Sequence, residues 1–207
     1  MESDSVYRFF YFVNHLRKLH IILASRSPRR KKLFQQLGLH FKVVPSVVPE
    51  QFDRKQTPRK NAERIALEKA LDVAQRSSSG IVVGADTIVV LGRKILGKPR
   101  NASDAKRMLG LLSGKRHDVI TGVAIIDTVR GRKRVFSETT KVLFRKLQDG
   151  ELAEYVRTGS PLDKAGGYGI QDDYGAVFVE KVEGCFYNVV GFPVTRFYQE
   201  LTSFVQG

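Results

Sequence analysis

Four short stretches of this chain combine residue types that can do chemistry. The first is Ser25-Arg26-Ser27-Pro28-Arg29-Arg30. Ser27 is suited to cap a helix and Pro28 to open it, which would set two hydroxyls and three arginines at a helix N-terminus. Unpaired N–H groups and the positive dipole end favour phosphate there, and arginine can grip phosphate oxygens bidentately. The plain alternative is an ordinary Ser-Pro helix start with solvated arginines. The second stretch is Val82-Val83-Gly84-Ala85-Asp86-Thr87. A carboxylate at a strand end inside apolar sequence must be paired, protonated or bound to metal. Mg²⁺ takes carboxylates together with substrate oxygens, so Asp86 beside a phosphate site suits phosphoryl chemistry. An Asp that caps a turn or pairs with an arginine fits equally well.

The third stretch is Gly97-Lys98-Pro99, which either aims a lysine at phosphate or is a plain loop. The fourth runs from 162 to 171 and includes Asp163, Lys164, Gly166, Gly167, Tyr168, Gly169 and Gln171. Three glycines in four positions let backbone approach a ligand closely, and Gln171 carries the donor and acceptor needed to read a base edge. A tight turn before a strand explains the same residues.

Other chemistries are excluded or unsupported. The glycine spacing of a P-loop is absent, as are GxSxG, HExxH, CxxC and EF-hand patterns. The four histidines, His15, His20, His40 and His117, form no ligand pair by spacing. A single cysteine, Cys185, allows no internal disulfide and no cysteine-rich zinc site, which fits a reducing, cytoplasmic setting. No stretch approaches the roughly 18 apolar residues of a membrane span.

The net charge of +14 is uneven. Residues 1–60 hold 13 Lys/Arg against 4 Asp/Glu and residues 93–146 hold 15 against 4, whereas 147–207 hold 4 against 9. Such a field attracts polyanions: nucleotide, nucleic acid or anionic membrane. A basic nucleic-acid-binding or regulatory protein without catalysis is therefore the rival reading. Aromatic residues are not interleaved with the basic blocks beyond the first 19 residues, which argues against a stacking platform for nucleic acid.

The elements that would position these residues follow from periodicity and punctuation. Strands are expected at 20–24, 41–44, 81–91, 119–126, 135–144, 176–182 and 186–190. Helices are expected from Pro28 to Gly38, from Thr57-Pro58 with Ala62, Ile65, Ala66, Ala70 and Val73 inward, after a Ser103 cap, at 149–157 and at 193–205. A hairpin turn is expected at Gly92-Arg93-Lys94. Residues 1–19 read as an N-terminal extension, with a short helix, docking or disorder all open, ahead of one domain at 20–207. The mixture gives an α/β fold with a partly antiparallel sheet and flanking helices.

Six blocks together resemble the Maf-like family in order and spacing: LASRSPRR at 23–30, GADTIV at 84–89, GKP at 97–99, LSGKRHDVITGVA at 112–124, DKAGGYGIQ at 163–171 and YNVVGFP at 187–193. The resemblance covers residues 20–207. It implies a fold like that of inosine triphosphate pyrophosphatase, with two lobes around a deep cleft, often as a homodimer. It also implies Mg²⁺- or Mn²⁺-dependent hydrolysis of nucleoside triphosphates between the α and β phosphates. By matching position, Asp86 would be the catalytic acid/base and Glu50 its partner near the metal, with Lys98 assisting catalysis. Ser25, Arg29, Arg30, Lys69 and Lys164 would bind substrate. Arg29 stands where a 7-methyl-GTP branch tends to carry Trp, and with Thr87 and Gln171 it resembles the dTTP/UTP branch. Gly167, where Ala is usual, and Phe192, where Leu is usual, are modest departures.

Overall fold

The computed structural model describes residues 16–171 and 173–207; most of the N-terminal extension, residues 1–15, lies outside them. Seven strands form one sheet: β1 (Ile21–Leu23), β2 (Phe41–Val43), β3 (Ile81–Leu91), β4 (Lys94–Leu96), β5 (Arg116–Asp127), β6 (Lys133–Phe144) and β7 (Val179–Glu183). Their order is β2-β1-β3-β5-β6-β7, with β4 paired to β3. The β1–β2 and β1–β3 pairs are parallel and all others antiparallel, so the sheet is mixed as expected. The helices are α1 (Pro28–Gln36), α2 (Pro58–Ala74), α3 (Ala102–Leu112), α4 (Asp149–Arg157), α5 (Phe186–Val190) and α6 (Val194–Gln206).

Strand register explains the cleft. β5 covers one edge of β3 from Ile81 to Val90. On the opposite edge β1 pairs only with residues 81–83, and β4 pairs only with residues 89–91. Residues 84–88 therefore have an open edge between two short strands, and Asp86 and Thr87 sit in that gap. Alternation sends them to opposite faces of the sheet.

Apolar side chains collect on either side of this polar belt. On the face of Thr87, one core gathers Phe34, Val83, Ala85, Phe192 and Phe197, while a second gathers Val89, Leu109, Phe144, Tyr155 and Phe178. On the face of Asp86, α2 covers Val82, Ala66 and Ala70 toward one end and Ala62, Ile88 and Ile120 toward the other. The two lobes thus share one continuous sheet. In the first core Phe34, Phe192 and Phe197 meet with ring centroids 4.8–5.3 Å apart, tilted and edge contacts worth about 0.5–1.5 kcal/mol per pair beyond burial.

Several local expectations are corrected. Asp86 is not at a strand end: β3 runs through it, because α2 brings a lysine to the carboxylate. Residues 186–190 form α5 rather than a strand, since their apolar run had no period to separate the two. Buried Asn188 anchors that turn to β5 and β6, its Nδ2 donating to Val119 O and Thr140 Oγ1 at 3.0 Å each. Residues Asp173–Phe178 form a 3-10 turn, and β7 begins only at Val179. Asn101, not Ser103, caps α3, accepting from Asp104 N at 2.9 Å. In 159–171 the expected loop is mostly two 3-10 turns, Ser160–Asp163 and Ala165–Gly167.

Candidate functional site

A cavity of about 500 Å³ opens at the gap in β3, lined from α1, α2, β3 and the segments around Glu50, Lys98, Asp163 and Gly191. Its floor is a chain of four alternating charges. Lys69 Nζ, on α2, lies 2.7 Å from Asp86 Oδ1 and 2.7 Å from Glu50 Oε1. Lys98 Nζ donates to both Glu50 oxygens at 2.9 Å. Two glycines let α2 approach closely enough for this. A Cβ at Gly84 would run into the Ala66 carbonyl, and one at Gly122, the cross-strand partner of Asp86, into the Ala62 carbonyl.

The two carboxylates are driven in opposite directions. Burial raises the pKa of Asp86, which is only 3% exposed; the Lys69 charge opposes that rise and Glu50 adds to it. Burial also acts to raise Glu50, but the charge of Lys69 and hydrogen bonds from Lys69 and Lys98 overcome it and hold the group down to about 2. One carboxylate of increased proton affinity beside one that stays ionised is the arrangement that separates a proton acceptor from an electrostatic anchor.

The second wall is the start of α1. Ser27 caps it, its hydroxyl accepting from Arg30 N at 3.4 Å, with Pro28 at the first turn. Buried Ser25 accepts from Ser27 N at 3.2 Å and from Arg30 Nη1 at 3.3 Å. Arg30 is turned inward. It donates to Gly191 O, Ala85 O and Thr87 Oγ1 at 2.9 Å each, and burial lowers its pKa. The Ala85 carbonyl it takes belongs to the open edge of β3. Arg30 therefore braces the gap between the lobes.

Thr87 is committed likewise: its hydroxyl meets Arg30, Thr121 Oγ1 at 2.9 Å and Gly191 O at 3.2 Å. The third wall is the turn carrying Asp163 and Lys164, where Asp163 pairs with Arg29 at 2.7 Å and with Lys164 at 2.7 Å. Tyr168 lines the cavity from this segment and shares a buried 2.8 Å hydrogen bond with His117. Gln171 is exposed and is not among the lining residues. The chain passes from Tyr168 in the second core to Ile170 in the first just before it.

The structure thus brings Ser25, Arg29, Arg30, Glu50, Lys69, Asp86, Thr87, Lys98 and Lys164 to one cavity. Sequence reasoning missed Asp163 as a partner of Arg29, and it missed the Thr121–Asn188 anchor beneath Thr87. The adjacency of Asp163 and Lys164 was the available signal for the first; for the second there was none. Among the described residues no group of three or more His, Cys, Asp or Glu could hold a metal. Glu50 and Asp86, joined through one ammonium, do fit an ion that completes its shell with substrate oxygens and water, as Mg²⁺ commonly does. Asp86 Oδ2 makes no hydrogen bond to the described residues. Among the described residues, no helix is long and apolar enough to cross a membrane.

Fold and site together define a mixed α/β protein with one deep, charge-lined cleft at a break in a sheet edge. The family model described as Maf-like protein matches residues 20–204, and the chain belongs to that family. It is 49% identical over 176 residues to a dTTP/UTP pyrophosphatase of Syntrophomonas wolfei, covering 85% of this chain and 93% of the relative. It is 44% identical over 184 residues to a dTTP/UTP pyrophosphatase of Desulforamulus reducens, covering 89% and 96%. Among solved structures, a nucleoside-triphosphatase / dITP/XTP pyrophosphatase from Mycobacterium abscessus matches with a TM-score of 0.45 at 13% identity, covering 90% of this chain and 99% of that one.

Proposed function

We propose that this protein hydrolyses nucleoside triphosphates, dTTP and UTP foremost, to the nucleoside monophosphate and pyrophosphate. The observation that carries the proposal is the Asp86–Lys69–Glu50–Lys98 chain in the cleft, with its two carboxylates driven apart in proton affinity. The names of the S. wolfei and D. reducens relatives supply the reaction and the base preference.

In this mechanism Asp86 holds a water through its free Oδ2 and takes its proton as the oxygen attacks the α-phosphorus. Lys69 keeps Asp86 ionised before the attack and stabilises the charge that builds on the phosphoryl oxygens. The bond that breaks joins the α-phosphorus to the bridging oxygen, which leaves with pyrophosphate. Lys98, half exposed at the cleft's edge, neutralises that leaving group. A triphosphate carries about four negative charges near neutral pH, and Arg26, Arg29, Lys69 and Lys98 balance them in the cleft. Glu50 and Asp86 would hold a divalent ion, Mg²⁺ or Mn²⁺, which would supply further charge neutralisation and a nearby water of lowered pKa. Base selection falls to the segment through Tyr168 and Gly169, with Gln171 just beyond it, and to backbone near Val189 and Gly191.

A panel of nucleoside triphosphates incubated with Mg²⁺ tests this. Specificity constants for dTTP and UTP should exceed those for CTP and the purine triphosphates. Asp86→Asn should lower turnover by about 10²-fold or more while leaving the protein folded. Near wild-type turnover in that variant would make Asp86 structural and overturn the mechanism.

A further inference from the structure

The turn Ser160–Asp163 places a carboxylate on two of the cleft's cations. Asp163 Oδ2 accepts from Arg29 Nη1 and Oδ1 from Lys164 Nζ, both at 2.7 Å. Arg29 belongs to α1, whose Leu33 and Phe34 lie in the first core, whereas Ala165 and Tyr168 just beyond Asp163 pack on the second. The pair with Arg29 therefore spans the cleft.

Both cations are held by other acceptors as well. Lys164 Nζ donates to Ser160 O at 2.7 Å and to Ser160 Oγ at 3.1 Å. Arg29 Nη2 donates to the backbone carbonyl of Asp163 at 3.2 Å. The carboxylate is thus not needed to keep either group in place. It is also the exposed member of the trio, with its side chain 55% accessible against 17% for Arg29 and 7% for Lys164. The acid lies on the solvent side of the cations it neutralises, in the path of an arriving anion.

We propose that Asp163 holds the place of a phosphate group at Arg29 and Lys164, so that a polyphosphate chain binds by displacing it. This rests on the reading of the cleft as a nucleotide site. A carboxylate offers one charge and two acceptor oxygens; a terminal phosphate offers more of both, and wins the exchange only when the rest of the chain is anchored elsewhere. Asp163 thereby sets a charge threshold that favours triphosphates over inorganic phosphate. Its return to Arg29 and Lys164 after the reaction also competes with bound pyrophosphate and promotes release.

Calorimetric titration of inorganic pyrophosphate into wild type, Asp163→Asn and Asp163→Ser tests this without any turnover. Each variant should bind pyrophosphate about five- to tenfold more tightly than wild type, the scale of freeing one partly exposed and one buried cation. Adding Arg29→Ala to Asp163→Asn should abolish the gain. Unchanged or weaker binding in both single variants would show that the carboxylate aligns the cations rather than masking them, and would overturn the proposal. If the wild type hydrolysed no nucleoside triphosphate, the functional reading would fail while this titration still decided whether Asp163 competes with a phosphate anion.

Discussion

Replacing Lys69 with methionine asks whether one buried ammonium keeps Asp86 ionised. Lys69 is 7% exposed and Asp86 3%, and the two are 2.7 Å apart. Methionine keeps much of the aliphatic volume, so the loss is mainly electrostatic. Removing one partner of a buried pair costs about 3–5 kcal/mol when the other must stay charged. Glu50 also loses the Lys69 charge, but it is partly exposed and retains both bonds from Lys98, so most of the penalty falls on Asp86. Asp86 escapes it by taking a proton. Its pKa is already raised by burial, and losing the foremost opposing charge raises it further. A group with a raised folded-state pKa contributes stability that is fully present below the unfolded value and is lost as pH rises through the folded value, by about 1.4 kcal/mol per unit. The deficit of Lys69→Met relative to wild type should therefore be small near pH 4.5 and grow toward about 3 kcal/mol by pH 8. Urea denaturation at the two pH values measures it. Adding Asp86→Asn should recover most of the loss and flatten its pH dependence. An equal deficit at both pH values, with no recovery in the double variant, would refute the reasoning.

Gly122→Ala should destabilise the protein by about 1–3 kcal/mol or more, since the new methyl meets the α2 backbone at Ala62 rather than a mobile side chain. Because α2 carries Lys69, turnover should fall as well; denaturation and kinetics on one sample check both. Burial lowers the His117 pKa from 6.5 to about 4, so its contribution is intact above the unfolded value and lost as pH falls through the folded one. Wild type should thus lose up to about 3 kcal/mol between pH 6.5 and 4 from this group, and denaturation of His117→Gln should lack that part of the slope.

The blocks that carry charge were legible because they combine a punctuation residue with a chemical one. Ser27-Pro28 announced the start of α1, and the apolar run around Asp86 announced a buried acid in need of a partner. Which charges meet was less legible. Lys69 and Glu50 lie 19 residues apart, and only the docking of α2 against Gly84 and Gly122 joins them to Asp86. Arg30 shows the same limit. An arginine at a helix start reads as a phosphate ligand, and nothing in its surroundings in the chain shows that it also takes the Ala85 carbonyl across the gap in β3. Residues 186–190 were apolar without a period, and their helical form depends on the buried anchor of Asn188.

The central claim is that water attacks the α-phosphorus with Asp86 as proton acceptor. Single-turnover hydrolysis of dTTP in ¹⁸O-water, with the products separated and weighed by mass spectrometry, tests it most directly. The predicted result is label in the nucleoside monophosphate and none in the pyrophosphate, with formation of both suppressed in Asp86→Asn. Label in pyrophosphate would move the attack to the β-phosphorus, and release of nucleoside diphosphate with labelled orthophosphate would move it to the γ-phosphorus; either would contradict the account.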